Sequence, residues 1–351
     1  MKNILFVGNG LGNGGAERVI SLLANALINE GENVYILSFV KADKTYNINP
    51  HVNIISASNG KNSIDKKIRR IIMIRRVAKE QSIDVVIAFS YYYVMAAILA
   101  LAGTGIKLIG SERNDPAQLD NRTILKIFRN MLYKRLDVLV CQTEDAKKYF
   151  PLKIQDKIII IMNPVTECLP EAYFGKRDNR IVSFSRLEPQ KNIPMIIDAF
   201  AMLHNEYPEL ILELYGEGSQ KSEIINYIKE RKLDNFAFVR PFAIDIHEKI
   251  KKAAMFVLAS NYEGLSNAML EAMAIGLPTI CTDCPCGGAR MAIQDNINGF
   301  LIQVGDTVAL YRKMKFIVEN KEKARNIAMK ATTIRNSLNS KHIIAKWREV
   351  I

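Results

Sequence analysis

Tryptophan occurs once in these 351 residues, at position 347, and histidine only at 51, 204, 247 and 342. No histidine stands in a recognisable catalytic motif, no two aspartates are spaced Asp-x-Asp, and the Gly-x-Ser-x-Gly elbow of the α/β-hydrolases is missing. The five cysteines, at 141, 168, 281, 284 and 286, are odd in number and scattered through a chain too large for a disulfide scaffold. A reduced, cytoplasmic protein is therefore expected. Cys281-Thr282-Asp283-Cys284-Pro285-Cys286 has no fourth cysteine or histidine close by and ends a predicted strand, so no metal site is expected there. Short-period repeats and low-complexity tracts are absent too.

Export and membrane-spanning signals are weak. Ile4-Leu5-Phe6-Val7 is shorter than a signal peptide needs and runs into Gly8, Gly10, Gly12, Gly14 and Gly15 without a cleavage site of the usual kind. Residues 85–106 carry no charge and could cross a bilayer by length. However, Val85 to Phe89 reads as a buried parallel strand and Tyr91 to Ala102 as a separate buried helix, with Ser90 and three tyrosines where a spanning helix would place aliphatics. The net charge of +12 comes without a recognised nucleic-acid-binding motif, so no nucleic-acid partner is expected.

What is present is alternation. A hydrophobic share of 49% can build two cores, and 351 residues fit two average α/β domains. Strand patterns fall near 3–8, 33–39, 52–56, 84–89, 106–110, 137–142 and 157–162, with helix patterns such as Ala16 to Ile28 and Arg122 to Leu136 between them. After a polar, irregular run from Asn163-Pro164 to Asp178 they resume near 180–184, 210–215, 236–240, 254–260, 278–282 and 299–303. This pattern predicts two Rossmann-like α/β domains with parallel sheets, residues 1–165 and 166–339. A closing amphipathic helix with Trp347, within 340–351, is expected to join the first. Each sheet should offer a crevice at the carboxyl ends of its strands, and facing crevices would make one cleft.

Two loops carry the chemistry-bearing residues. In the first domain, Gly8-Asn9-Gly10-Leu11-Gly12-Asn13-Gly14-Gly15-Ala16 joins a strand to a helix and formally matches a dinucleotide fingerprint. That reading, a nicotinamide-dependent oxidoreductase, lacks the acid expected after the second strand, where Phe39-Val40-Lys41 stands and Asp43 is nearest. A tight turn is another reading. A third is a backbone that approaches phosphate, with Gly14 and Gly15 opening a helix whose dipole favours anions. In the second domain Arg186 and Lys191 leave the first strand together, one planar bidentate donor and one point charge, suited to a diphosphate. Glu263 and Gly264 follow a later strand, and Leu265, Ser266 and Asn267 open a helix whose free amides can hold phosphate oxygens. Glu271 lies about two turns further in, on an otherwise apolar helix, where a carboxylate wants hydroxyl partners.

Glu263 and Glu271 enclose seven residues, with Arg186 and Lys191 upstream. Together with Gly14-Gly15-Ala16-Glu17-Arg18, Tyr215-Gly216-Glu217-Gly218 and Glu271-Ala272-Met273-Ala274-Ile275-Gly276-Leu277-Pro278, this resembles the retaining glycosyltransferases of family 4, on the GT-B fold. The resemblance spans nearly the whole chain. It implies that Arg186 and Lys191 hold the donor diphosphate, Glu271 the ribose, and Glu263 with the Gly264–Ser266 backbone the donor sugar. Gly14, Gly15 and Gly216 would line the donor site, and Phe242 would present backbone groups to the base. By the same resemblance, sugar would move to a glycan acceptor from a nucleotide sugar, expected to be a UDP-sugar, without metal or cofactor. Two departures stand out. Relatives often carry histidine after the residue equivalent to Glu112, whereas this chain has Arg113, followed by Asn114, a variant that resembles enzymes of bacterial surface polysaccharide and lipid-linked oligosaccharide synthesis, including GalNAc transferases. Glu112, Arg113 and Asn114 are assigned to the acceptor side. Pro241 replaces a usual glycine before the base-binding loop.

Residues 61–79 hold eight basic side chains against one acidic. On a helical wheel Ile64, Ile68, Ile71, Ile72 and Ala78 form an apolar face for the core, and Lys66, Arg69, Arg70 and Arg76 gather roughly opposite, with Met73 and Val77 among them. A second basic helix carries Lys126, Arg129, Lys134 and Arg135. We expect the Lys66–Val77 face to touch anionic headgroups at the inner face of the cell membrane, where a lipid-diphosphate-linked acceptor would be met.

Overall fold

A computed structural model describes the chain apart from Asn13 and residues 40–46, 58–62, 120–121 and 167. Asn13 of the glycine loop, Val40, Lys41 and Asp43 beyond the second strand, and Lys61 therefore lie outside the described residues. The chain divides into two compact units, Met1–Pro164 with Ser340–Ile351, and Val165–Asn339.

The first unit runs β1 (Asn3–Gly8), α1 (Gly15–Asn29), β2 (Asn33–Ser38), β3 (Asn53–Ser56), α2 (Ser63–Glu80), β4 (Val85–Phe89), α3 (Tyr91–Ala100), β5 (Lys107–Ser111), α4 (Thr123–Tyr133), β6 (Val138–Cys141), α5 (Glu144–Tyr149), α6 (Leu152–Gln155) and β7 (Ile158–Ile160). Its strands pair in parallel in the order β3-β2-β1-β4-β5-β6-β7. The second unit runs β8 (Arg180–Phe184), α7 (Ile193–His204), β9 (Ile211–Tyr215), α8 (Lys221–Glu230), β10 (Ala237–Arg240), α9 (Ile246–Ile250) and β11 (Met255–Leu258). It continues with α10 (Asn267–Ala274), β12 (Thr279–Thr282), α11 (Gly288–Ala292), β13 (Phe300–Ile302), α12 (Thr307–Glu319), α13 (Lys321–Ala331) and α14 (Ile334–Ser337). Its parallel order is β10-β9-β8-β11-β12-β13. The closing helix α15 (Ser340–Val350) returns to the first unit.

Both sheets reverse their winding once, between β1 and β4 and between β8 and β11. At such a switch point the two connections leave on opposite faces and open a crevice beyond the strand ends. The chain spends its least ordinary sequence there: the glycine loop after β1, Ser90 after β4, Arg186 to Lys191 after β8, and Asn261 to Ser266 after β11. The flanking strands can be continuous apolar runs because helices cover both faces; every residue of β4 and β11 is buried.

The uncharged stretch from 85 to 106 resolves into β4 and α3, separated by Ser90 at φ +72°. Among the described residues no helix is long and apolar enough to cross a membrane. Helix α15 begins at Ser340 and buries Ile343, Trp347 and Val350, one stripe at spacings of four and three. Trp347 is wholly buried, its ring 6.0 Å from that of Phe89.

Two surface readings need correction. Helix α2 docks through Ile74, Val77 and Ala78, so Val77 is 3% exposed and cannot face a membrane. Ile64, Ile68 and Ile72, expected in the core, are 67%, 51% and 51% exposed. The wheel holds two apolar faces, and packing against α3 uses the one near the C-terminal end. Arg70 turns with the inner face: its guanidinium lies 5.0 Å from the Tyr93 ring and 5.9 Å from that of Phe39. On α4, Arg129 is buried rather than part of a basic face. It donates to the Pro116 carbonyl at 2.9 Å and sits 4.9 Å from the Phe150 ring.

Candidate active site

In the second unit the loops after β8 and β11 are tied together before any ligand arrives. Asn261 donates its backbone N–H to the Gln190 carbonyl at 2.8 Å and its side-chain amide to the Pro189 carbonyl at 3.1 Å. Gln190 Nε2 returns to the Tyr262 carbonyl at 2.9 Å. The short 3₁₀ turn Pro189–Lys191 then hands the chain to α7 through Asn192, which takes a left-handed conformation at φ +47°. This places Lys191 Nζ against Glu263 Oε1 in an ion pair whose side chains are 10% and 13% exposed. Ser260 Oγ donates to the same oxygen at 3.0 Å, and Gln190 Nε2 reaches Oε2 at 3.4 Å. Arg186 is exposed, with Nη2 donating to Gln190 Oε1 at 3.2 Å. An ammonium has three donors, so pairing with Glu263 leaves protons on Lys191 for a second anion.

The β11 loop continues into α10, where Ser266 caps the helix by accepting from the Met269 N–H at 3.4 Å. Leu265 and Gly264 are buried, so what they can offer a ligand is backbone. A Cβ on Gly288 would fall 1.6 Å from the Gly264 carbonyl oxygen, so the start of α11 presses directly on this loop and fixes it from behind. Gly216 does the same for the β8 loop: its Cβ would meet the Ser185 carbonyl oxygen at 1.9 Å. Phe242, by contrast, is an exposed ring beyond β10.

Glu271 is buried on the apolar helix α10, and its partner is a residue that motif reading passed over. His247 on the short helix α9 meets Glu271 Oε2 through Nε2 at 2.7 Å, its ring edge-on to Phe184 at 5.8 Å. A five-residue helix has too little periodicity to reveal which way its histidine points. Burial pushes the Cys284 thiol up to about 12 and the Cys281 thiol well above its ordinary value, so neither is a ready thiolate. Among the described residues no group of three or more His, Cys, Asp and Glu is placed to hold a metal ion.

In the first unit Gly14 caps α1 in an extended conformation and Gly15 opens that helix. The neighbours Glu112, Arg113 and Asn114 go different ways. Glu112 turns inward and accepts a hydrogen bond from the Tyr133 hydroxyl, which ties the end of β5 to α4; burial raises its pKa against the pull of that bond and of Arg129. Its carboxylate thus has a protein partner within the unit before any acceptor binds. Arg113 donates from Nη1 to Asn163 Oδ1 at 2.9 Å and stacks 5.0 Å from the Phe89 ring and 5.5 Å from Trp347. Among the described residues its Nε and Nη2 find no hydrogen-bond partner though both are buried, and burial lowers its pKa to about 9. Asn114 is exposed.

Comparison with known proteins bears on this geometry. Residues 13–167 match the model for Glycosyltransferase Family 4 and residues 170–333 that for Glycosyl transferases group 1. A Campylobacter jejuni enzyme named as a GalNAc-alpha-(1->4)-GalNAc-alpha-(1->3)-diNAcBac-PP-undecaprenol alpha-1,4-N-acetyl-D-galactosaminyltransferase is 26% identical over 100% of this chain and 98% of its own. An uncharacterized glycosyltransferase of Haemophilus influenzae is 25% identical over the full length of both. Among solved structures, Anabaena Alr3699/HepE in complex with UDP-glucose superposes with a TM-score of 0.82 at 18% identity, covering 100% of each chain. The protein is a glycosyltransferase of the GT-B fold. It belongs with family 4 and the bacterial enzymes of glycan biosynthesis. Nothing in these likenesses supports the nicotinamide reading of the glycine loop, and that alternative is dropped.

Proposed function

We propose that this enzyme is a retaining, metal-independent transferase that moves a hexose or N-acetylhexosamine from a UDP-sugar to a lipid-diphosphate-linked glycan. It would work as a peripheral protein on the inner face of the cell membrane. The observation that carries the reading is the Arg186–Gln190–Lys191–Glu263 cluster at the switch point of the second unit, with Glu271 on the adjoining helix. Likeness to a C. jejuni enzyme whose name includes a PP-undecaprenol acceptor, and to a structure holding UDP-glucose, supports the choice of substrates.

In this reading Arg186 and Lys191 take the diphosphate, and the amides opening α10 add fixed dipoles at its oxygens. The bond from the anomeric carbon to the diphosphate breaks as the acceptor oxygen bonds to the same face of that carbon. The acceptor's proton passes to the departing phosphate oxygen, so no separate base is required. Glu263, held by Lys191 and Ser260, positions the sugar, while Glu271 receives the ribose hydroxyls. In the second unit Gly216 and Phe242 complete the donor site; in the first, Gly14 and Gly15 are assigned to the donor and Glu112, Arg113 and Asn114 to the acceptor. Fixed cations aimed at the charge that develops on the leaving group do the work a metal does elsewhere.

A panel of nucleotide sugars, read by melting shift and donor hydrolysis, tests the proposal. UDP or one UDP-sugar should raise the melting temperature, and Arg186→Ala should abolish the shift while the protein stays folded. Stabilisation by NADH alone, or by no nucleoside diphosphate, would refute it.

A further inference from the structure

Helix α4 has a second apolar face that none of the described residues covers. Leu132 and Tyr133 turn inward and are buried, whereas Ile124, Ile127, Phe128 and Met131 are 86%, 63%, 38% and 54% exposed. Positions separated by three, four and seven residues make one stripe along a helix, so the four side chains stand in a line toward solvent. Ile64, Ile68 and Ile72 make a similar outward stripe on α2, and α2 and α4 both pack on α3. Single exposed apolar residues are ordinary, but two such stripes on helices that share α3 as a packing partner form a surface that water alone does not favour. Between the helices lies a shallow depression of about 640 Å³, walled by Lys67 of α2, by Arg122 just before α4, and by Thr123, Ile124, Leu125 and Phe128 of α4.

The rim selects the occupant. Lys66, Lys67, Arg75 and Arg76 are exposed on α2, and Arg122, Lys134 and Arg135 are exposed at the ends of α4. Asp65, the acid of the first turn of α2, is bound to Arg69 at 2.9 Å. An apolar strip edged by cations complements a layer of hydrocarbon beneath anionic headgroups. A protein partner of mixed charge would leave those cations unmatched.

We infer that α4 and α2 of the first unit insert their outer stripes into an anionic lipid surface, with α4 entering deepest and Lys67 and Arg122 at the level of the phosphates. The inference rests on the peripheral-membrane reading and specifies it. Contact falls on Ile124, Ile127, Phe128 and Met131 of α4 and on Ile64, Ile68 and Ile72 of α2, not on the Lys66–Val77 face expected from the wheel. Binding then has an apolar component that salt cannot screen, in addition to a cationic one that it can.

The test is co-sedimentation of the full chain with vesicles of phosphatidylglycerol and phosphatidylcholine. Wild type should pellet with them, and Ile124→Ser/Ile127→Ser/Met131→Ser should bind more weakly by roughly tenfold or more. These exposed changes should leave the melting temperature and transfer to a water-soluble acceptor unchanged. An Ile127→Trp variant should be quenched by acyl-brominated lipid, with buried Trp347 as an unquenched baseline. If wild type fails to pellet, the membrane reading falls as a whole. If wild type pellets and the triple variant pellets equally, or the Ile127→Trp variant escapes quenching, only insertion by α4 is overturned. Lipid-free dimerisation that the triple variant abolishes would instead make this a contact between copies and overturn the inference.

Discussion

Replacing Lys191 by methionine keeps most of the apolar stem and removes the ammonium that now pairs with Glu263. Two consequences should separate. For stability, the pair is mostly buried, and stripping one partner from a buried pair costs about 3–5 kcal/mol. Here Ser260 and Gln190 still donate to the remaining carboxylate, so about 2 kcal/mol is the better expectation. For catalysis, the lost donor is one aimed at leaving-group charge, which costs on the order of 10²–10³ in kcat. The double variant Lys191→Met/Glu263→Gln removes both charges and should regain stability to within about 1 kcal/mol of wild type. Its turnover should stay low. Urea unfolding and steady-state transfer assays on the two single variants and the double variant read both quantities. Should Lys191→Met turn over within roughly threefold of wild type, Lys191 does not meet the diphosphate. Recovery of turnover in the double variant would reduce Lys191 to a structural counter-ion for Glu263.

Activity should survive exhaustive EDTA treatment; loss that magnesium or manganese restores would refute the electrostatic account. His247→Ala should raise KM for the nucleotide sugar by roughly tenfold with a smaller change in kcat, because it removes a hydrogen bond to a charged group that holds Glu271. An unchanged KM would mean that Glu271 needs no such partner. Glu112 has a raised pKa in the folded chain, so folding retains its proton more tightly. The associated stability is full below the unfolded carboxylate range and is lost as pH rises through the folded value. Glu112→Gln should therefore flatten the fall of melting temperature above that range, and an unaltered slope would show that another group sets it.

The parallel strands were legible because burial on both faces writes them as unbroken apolar runs, as in Val85 to Phe89. The loops that follow β8 and β11 were legible for a different reason. Arg186, Lys191 and Glu263 are costly to place in a core and easy to place at a strand end, so their positions mark the switch point. What failed was orientation. Helix α2 has enough isoleucine for two faces, and periodicity cannot tell which one meets α3. Arg129 looked like surface charge, but three aromatic rings and the Pro116 carbonyl give its guanidinium an interior site. Glu112 was assigned to the acceptor side with no sign of its partner within the unit, Tyr133, which lies 21 residues away.

The pairing of His247 with Glu271 shows why part of an active site stays hidden in sequence. Burying Glu271 on α10 would be costly unless something shared its charge or its hydrogen bonds. The Lys191–Glu263 pair answers the same demand on the neighbouring loop. Each carboxylate assigned to a substrate hydroxyl thus already has a protein partner at a strand end or on a short helix. Substrate hydroxyls then add to a carboxylate that is oriented beforehand, and binding need not first order it. Arg186 differs, since its side-chain hydrogen bond goes to the neutral amide of Gln190 and its guanidinium is exposed. A diphosphate can claim it without breaking an ion pair. If oriented carboxylates and an available arginine divide the work this way, Arg186→Lys should lose more affinity for UDP than Lys191→Arg does. The lysine at 186 forfeits the planar two-point grip, whereas the arginine at 191 can still pair with Glu263. Titration calorimetry with UDP measures both, and the reverse order would place the principal phosphate contact at Lys191.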